Sequence, residues 1–113
     1  SHFYFVSSND KIVGYLKLNL VNIEGSDSNK KGIEIARIYV LSEFHGSSAG
    51  QLLFNKALTI AQENNCDYIW LGVWENNPRA IRFYKKNGFE IKGNKKFILG
   101  DDVQNDLIME RSI

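Results

Sequence analysis

The stretch "YVLSEFHGSSAGQLLFNKAL", from Tyr39 to Leu58, passes from a β-rich run through small residues into a helical pattern. Its first part belongs to "IEIARIYVL", Ile33 to Leu41, which is β-branched and nearly continuous in apolar character, as an interior strand covered on both faces is. From about Ser47 to Asn64, polar residues recur at helical spacing, which predicts an amphipathic helix with the apolar positions Ala49, Leu52, Leu53, Ala57, Ile60 and Ala61. The apolar run Asp67 to Trp74 follows closely enough to form a β-α-β crossover with the first strand.

The N-terminal part of the chain predicts a hairpin. Two β-rich runs, His2 to Val6 and Lys11 to Leu20, are joined by polar residues, and they predict an antiparallel pair. Strand alternation places Leu16, Leu18 and Leu20 on one face of the second run.

The C-terminal part predicts one short helix and two strands. The helix is predicted from Pro78, favoured in a first turn, to Lys86, with Gly88 placed to accept a left-handed conformation after its end. Strands are predicted from Phe89 to Leu99 and from Leu107 to Ile113, around the turn-rich "GDDVQND". The polar stretch Glu24 to Gly32 predicts an exposed loop.

Composition excludes several classes of function. A chain of 113 residues with 43% hydrophobic and 24% charged residues fits one compact globular domain. The net charge of +1 provides no basic field, so we expect no nucleic-acid partner. Apolar runs are too short for a membrane span and no secretory leader pattern is present, so we expect a cytoplasmic protein without a membrane partner.

Cysteine and histidine usage argues against a metal site. Cys66 is the only cysteine, which excludes an internal disulfide, and His2 and His45 lie far from it and from each other in sequence. We therefore expect no bound metal. A structural role is the first interpretation of Cys66, and a catalytic thiol is the alternative.

The small residues between strand and helix suggest an anion site. After Leu41, the backbone N–H groups from Gly46 to Gln51 carry small side chains that let an anion approach, and the helix dipole is aimed at it. A pyrophosphate fits that description. The alternative is that Ser47 or Ser48 only caps the helix and that the glycines shape the turn.

A second segment, "WLGVWENNPRAIRFYKKNGFEIKG", Trp70 to Gly93, carries a spaced pattern of its own. Taken with the loop, it resembles the GNAT superfamily of acyl-CoA-dependent N-acetyltransferases, which has an Asn-x-x-Ala-(Ile/Val)-x-x-Tyr-x-x-x-Gly-Phe segment. The matching residues are Asn77, Ala80, Ile81, Tyr84, Gly88 and Phe89. The closer resemblance, carried by "IEIARIYVL", "IWLGVWENN", "AIRFYKKNGF" and "LGDDVQNDLIM", is to PaiA-type polyamine (spermidine/spermine) acetyltransferases.

The resemblance implies an α/β (α+β) fold with a mixed, mostly antiparallel, twisted sheet and a central β-α-β crossover. It implies a single GNAT domain over residues 1–113, in which the family's first strand and first two helices are absent. An edge strand would then be exposed, which favours pairing into a homodimer. The implied activity is transfer of an acetyl group from acetyl-CoA, the co-substrate, to a small primary amine, with a polyamine as the leading acceptor. The alternative is a catalytically silent CoA-binding or interaction module.

The resemblance also implies roles in catalysis. Glu34 stands where many GNAT enzymes carry a glutamate that takes a proton from the amine directly or through water, and Tyr84 matches the family's general-acid tyrosine. A backbone N–H near Val40 or Leu41 would stabilise the oxyanion. From the residues alone, Glu34 equally fits an ion pair with Arg37 or a solvent-facing position, and Tyr84 equally fits packing.

The remaining implied contacts concern the cofactor and the acceptor. The expected cofactor-binding residues are Ile38, Tyr39, Val40, His45, Gly46, Ser47, Ser48, Ala49, Gly50, Gln51, Asn77, Ala80 and Tyr84. Trp74 and Glu75 are the expected acceptor contacts, although core packing is the first explanation for Trp70 and Trp74, and Asn77 equally fits a helix start.

Two residues depart from the family's Gln/Arg-x-x-Gly-x-Gly/Ala loop. His45 replaces Gln or Arg, and Ser48 replaces the first glycine, while Gly50 matches. Serine serves at position 48 if the backbone there is helical, and we expect that conformation rather than a positive φ. We expect His45 to be a polar loop residue rather than a catalytic base.

Overall fold

The computed structural model describes residues 2–113, and its regular elements are six strands and two helices in that range. The elements are β1 (His2–Ser8), β2 (Lys11–Asn19), β3 (Gly32–Val40), α1 (Ala49–Glu63), β4 (Tyr68–Trp74), α2 (Pro78–Lys86), β5 (Glu90–Leu99) and β6 (Asp102–Ser112). A single 3-10 turn, Ser42–Phe44, lies between β3 and α1. The predicted mixed α/β fold, mostly antiparallel, is confirmed.

The chain forms two compact units. Of the described residues, the first unit contains residues 2–69 together with residue 113, and the second contains residues 70–112. Strand order is β1-β2-β3 in the first unit and β4-β6-β5 in the second. Each predicted strand and helix is present, with ends that differ by at most five residues from the prediction.

The first unit begins with the predicted antiparallel hairpin, β1 with β2. Ser8 pairs with Lys11, so Asn9 and Asp10 alone form the turn, and their φ angles are 51° and 65°. Asparagine and aspartate tolerate this left-handed region better than other non-glycine residues, which suits a two-residue hairpin turn.

The core of the first unit lies between its sheet and α1, which contacts all three strands. The buried hydrophobic side chains on β2, β3 and α1 are Val13, Leu16, Leu18, Ile33, Ile35, Ala49, Leu53, Phe54, Ala57, Ile60 and Ala61. Two predicted members of the apolar faces are wrong. Leu20 lies beyond the end of β2 and is 46% exposed, and Leu52 points outward from α1 at 54% exposed. Phe54 takes the buried position instead, because helical spacing puts Phe54 and Ala57 on the sheet side.

A register shift changes the faces of β3. Leu18 pairs with Ile35 but Lys17 pairs with Arg37, so Ala36 is an extra residue on β3. Beyond this bulge, Arg37 and Tyr39 are exposed. The expectation of a strand covered on both faces is therefore wrong for the second half of β3.

The second unit contains α2 and the β5–β6 hairpin. Helix α2 has the predicted bounds, and Gly88 after its end has a φ of +91° as expected. The hairpin differs from prediction, because Leu99 pairs with Asp102 and β6 starts five residues before Leu107. Gly100, at φ +63°, helps to reverse the chain within two residues, so most of the polar segment that was predicted as turn is free to pair with β5.

Neither helix of the described residues has both the length and the apolar composition needed to cross a lipid bilayer.

Candidate functional site

The loop before α1 has a defined conformation. After the 3-10 turn, His45 is extended and Gly46 has a φ of +82°, while Ser48 is right-handed at φ −77° and ψ −2°. The prediction for Ser48 is confirmed, because a serine adopts this conformation without strain. Gly46 is the residue whose backbone requires glycine, since a Cβ there would have open space around it but an unfavourable φ.

The capping alternative accounts for only part of this loop. The Ser47 hydroxyl accepts a hydrogen bond from Ala49 N at 3.2 Å, whereas the N-cap residue Ser48 makes no side-chain cap. Within the described residues, the backbone N–H groups of Gly46, Ser48 and Gly50 donate to no protein acceptor. Three donors without a protein acceptor therefore lie at or just before the positive end of the α1 dipole, where anions are favoured.

His45 has a structural contact. Its Nε2 lies 2.8 Å from the Val40 carbonyl oxygen, and because that oxygen only accepts, Nε2 carries the proton in this bond. The bond ties the loop to the end of β3. This geometry agrees with the loop role expected for His45.

Glu34 lies on β3 directly across from Asn19. Asn19 Nδ2 donates to Glu34 Oε1 at 3.4 Å, and the carboxylate is half-buried. Arg37 forms no ion pair with it in the described part of the chain. The ion-pair alternative for Glu34 is therefore wrong, and one long hydrogen bond leaves carboxylate lone pairs available to an amine.

At the end of β3, one of the two candidate oxyanion donors is already bonded. Leu41 N donates to the Val13 carbonyl at 2.8 Å, so its hydrogen is already used. Val40 remains. Of the predicted cofactor-binding residues on β3, Ile38 and Val40 are half-buried and Tyr39 is 50% exposed. Gln51, another predicted cofactor-binding residue, lies on α1 and donates from Nε2 to Asn55 Oδ1 at 3.0 Å.

In the second unit, Asn77 starts α2. Its Oδ1 accepts from Ala80 N at 3.3 Å, and Pro78 at the first helical position has no N–H to satisfy. The interpretation of Asn77 as the start of a helix is thus confirmed. Its side-chain oxygen and the Ala80 N–H are bonded to each other in this cap.

Tyr84 is buried on α2, at 7% exposure, with ring centroids 5.6 Å from those of both Phe83 and Phe89. Burial raises the pKa of its hydroxyl to about 12, because the phenolate would lose hydration. Its hydroxyl has no hydrogen-bond partner among the described residues. Tyr84 therefore packs and also keeps its proton at neutral pH, which a general acid requires.

The end of β4 carries the predicted acceptor residues. Trp74 is 47% exposed, so core packing as its explanation is wrong. Glu75 Oε2 accepts from Asn105 Nδ2 at 3.0 Å, and Glu75 N donates to the Asn105 carbonyl at 3.0 Å. The sequence does not predict Asn105 as a contact of Glu75, because its pattern indicates a turn in the segment that contains Asn105.

Residues 1–89 match the model of the Acetyltransferase (GNAT) family. The chain belongs to the GNAT family. A relative of the GNAT chain in Lactobacillus delbrueckii subsp. lactis, an uncharacterized N-acetyltransferase, is 34% identical over 113 residues. That match covers 100% of this chain and 65% of the relative, so the chain spans less than two thirds of the relative's length. The spermine/spermidine N(1)-acetyltransferase of Bacillus subtilis is 28% identical over 76% of this GNAT chain and 57% of its own length.

Solved GNAT structures share the fold. Arabidopsis thaliana Naa50, in complex with the bisubstrate analogue CoA-Ac-MVNAL, is 29% identical with a TM-score of 0.81, covering 98% of this chain and 72% of that chain. PaiA N-acetyltransferase from Thermoplasma acidophilum, in complex with coenzyme A, has a TM-score of 0.76 at 23% identity. The match covers 98% of this chain and 60% of that chain. The resemblance to a PaiA-type neighbour is thus present at the level of the fold.

Proposed function

We propose that this chain carries the acetyl-CoA-binding and catalytic residues of an N-acetyltransferase acting on a primary amine. The observation that carries the proposal is the set of open N–H donors at Gly46, Ser48 and Gly50, at the start of α1 in a GNAT-family chain. The pyrophosphate of acetyl-CoA is the anion that such donors would hold. The rest of the proposed cofactor set, from Ile38 to Gln51 and at Asn77, Ala80 and Tyr84, follows from the same family pattern.

The proposed reaction is direct attack on the thioester. An alkylammonium first gives a proton to Glu34, directly or through water, and the free amine nitrogen then bonds to the acetyl carbon. The carbonyl oxygen becomes an oxyanion, for which Val40 N–H is the proposed donor. When the C–S bond breaks, Tyr84 gives its proton to the CoA thiolate, and the phenolate is reprotonated from solvent. The half-buried Glu34 with one partner and the protonated Tyr84 support these roles.

The leading acceptor is a polyamine. The spermine/spermidine acetyltransferase relative supports it, and so do the acidic Glu75, Asp101, Asp102 and Asp106, which would attract a polycation. A second candidate is the amino terminus of a peptide, favoured by the Naa50 structure, whose bisubstrate analogue includes the peptide MVNAL.

The cytoplasmic location and the homodimer are further proposals. The homodimer is supported by two exposed aromatic side chains on β1, Phe3 at 53% and Phe5 at 60% exposure.

The test incubates the chain with acetyl-CoA and, separately, spermidine, the peptide MVNAL and N-acetylated MVNAL. We expect CoA thiol release with spermidine, matched by acetylated spermidine in the mass spectrum, and none with the blocked peptide. Release with MVNAL alone would move the acceptor to peptides. Binding of CoA without thiol release from any amine would support the silent module and refute the enzyme.

A further inference from the structure

The face of β4 that carries its tryptophans has an unusual residue at its centre. Trp70, Gly72 and Trp74 alternate along the strand and therefore share one face, whereas Leu71 and Val73 are buried on the other. Each tryptophan lies two residues from Gly72, a distance of about 7 Å along the strand. Two large aromatic side chains thus flank a position that has no side chain.

A carboxylate lies over that position. A Cβ built on Gly72 would lie 3.8 Å from Asp106 Oδ2 and 3.9 Å from Ile108 Cδ1, with no third heavy atom within 4 Å. Gln104 Nε2 donates to the other oxygen, Asp106 Oδ1, at 2.9 Å, so the carboxylate is oriented with Oδ2 toward Gly72. We call this arrangement of Trp70, Gly72, Trp74 and Asp106 the β4 notch.

The charge of Asp106 is not neutralised by an ion pair within the described residues. Lys95 is directly opposite in the β5–β6 register, but its Nζ lies over the Phe97 ring, 5.4 Å from the ring centroid. Asp106 is also half-buried, which strengthens its attraction for a cation compared with a fully hydrated carboxylate.

We propose that the β4 notch binds an alkylammonium group of the acceptor, with Asp106 Oδ2 accepting its N–H and the tryptophan rings contacting the charged head and its methylenes. Carboxylates form charge-assisted hydrogen bonds with ammonium groups, and tryptophan is the aromatic side chain that attracts cations best. The glycine provides room, because any side chain at position 72 would occupy the space between the two rings. The inference rests on the proposed function only in taking the bound amine to be the acceptor.

The ammonium has two sources, a polyamine and a peptide amino terminus. The test therefore measures binding of spermidine, of MVNAL and of N-acetylated MVNAL to the chain without acetyl-CoA, by calorimetry and by the indole signals in NMR spectra. We expect spermidine to bind and to shift the indole signals, and the blocked peptide to do neither. If MVNAL binds and spermidine does not, the notch holds and its ligand is a peptide amine.

Two variants test the notch directly. Asp106→Asn keeps an oxygen for Gln104 and removes the charge, and we expect it to weaken spermidine binding by about fivefold or more. Gly72→Ala adds a methyl group at ordinary contact distance from its neighbours, so the fold is retained while the notch is partly filled. We expect it to weaken binding about threefold.

Matched controls separate a local site from diffuse attraction. Glu63→Gln removes an exposed acid at the end of α1, and Gly93→Ala adds a methyl where no atom lies within 4 Å. Both should leave spermidine affinity within about twofold, since exposed charges interact weakly through water. An equal loss with Glu63→Gln, or unchanged affinity with Asp106→Asn, would overturn the proposal.

Failure of the proposed function gives a different result. If no amine is acetylated while Asp106→Asn still weakens spermidine binding, the β4 notch stands and the transferase proposal falls. If spermidine is acetylated and both notch variants bind it like the original chain, the notch is refuted and the transferase stands.

Discussion

The two helices of this chain begin in opposite ways. Helix α2 satisfies its own start, with Asn77 Oδ1 accepting from Ala80 N and Pro78 lacking an N–H. Helix α1 has no side-chain cap from Ser48 and leaves the donors of Gly46, Ser48 and Gly50 open. Both starts carry a residue type that is favoured at N-caps, so the residue type does not distinguish them. The side-chain hydrogen bond does, and it separates a self-sufficient helix start from one that is suited to an anion.

The largest expected effect tests whether α2 contributes to chemistry rather than to anion binding. In the proposed reaction, Tyr84→Phe removes the proton donor and should lower kcat about 100-fold. The KM for acetyl-CoA should stay within about twofold, because the phosphate donors lie on α1. Steady-state kinetics measure both constants. An equal loss of acetyl-CoA affinity would count against the acid role.

Tyr84 also makes the stability contribution of α2 dependent on pH. Its pKa of about 12 in the fold exceeds the ordinary value of 10, so above pH 10 the unfolded chain releases a proton that the folded chain retains. Stability is therefore fully retained below pH 10 and falls by about 2 kcal/mol as pH rises toward 12. Urea unfolding should show this slope, and Tyr84→Phe should remove it. Tyr39→Phe is the control, because Tyr39 is 50% exposed.

A carboxylate placed at the second position of each helix distinguishes the two starts. Gly50→Glu should raise the KM for acetyl-CoA about 10-fold, because a negative charge repels the pyrophosphate from the open donors. Arg79→Glu occupies the same position in α2 and should change that KM by less than about threefold, although it reverses a charge. Equal effects would show that the two starts are not different in function.

Removing the cap of α2 should affect stability instead. Asn77→Ala should lower the free energy of unfolding by about 1 kcal/mol, since Ala80 N loses its acceptor. Asn77→Ser supplies another capping oxygen and should restore most of the loss. A rise in the KM for acetyl-CoA in both variants, with stability unchanged, would reveal a contact with the cofactor in place of the cap.

The smallest effect is expected at Ser48. Because its φ is −77°, Ser48→Gly relieves no strain and should lower stability by about 0.5 kcal/mol through added freedom of the unfolded chain. The KM for acetyl-CoA should change by less than about twofold, since the backbone donor remains. Calorimetric binding of CoA provides the check. A marked gain in affinity would mean that the serine side chain obstructs the anion.

Much of the fold was predictable because its strands and helices have clear periodic patterns. The bounds of α2 follow from Pro78 and Gly88, and the β1–β2 hairpin follows from its apolar runs. The start of β6 did not follow, because most of its first residues are polar and their pairing with β5 does not depend on an apolar pattern. The sequence also does not predict the bulge at Ala36, since a bulge depends on the register with a neighbouring strand.

The candidate site was predictable in its residues but not in their hydrogen bonds. The pattern from Gly46 to Gly50 indicated an anion loop, yet it did not show that the Ser47 hydroxyl occupies Ala49 N–H or that Leu41 N–H is bonded to Val13. The alternation Trp70-x-Gly72-x-Trp74 is visible in the sequence. Its meaning depends on Asp106, which only the pairing of β6 brings over Gly72.

The buried cysteine has a practical consequence for these experiments. Cys66 carries the only thiol of the chain and is 6% exposed. Its burial is the main reason why the pKa of the thiol is raised. A disulfide reagent that reports free CoA should therefore react slowly with the native protein, leaving a low background. The rate of this slow reaction also measures local unfolding, because the reagent reaches Cys66 only when the turn between α1 and β4 separates from its surroundings. One assay mixture can thus measure both the rate of CoA release and the rate of local unfolding around Cys66.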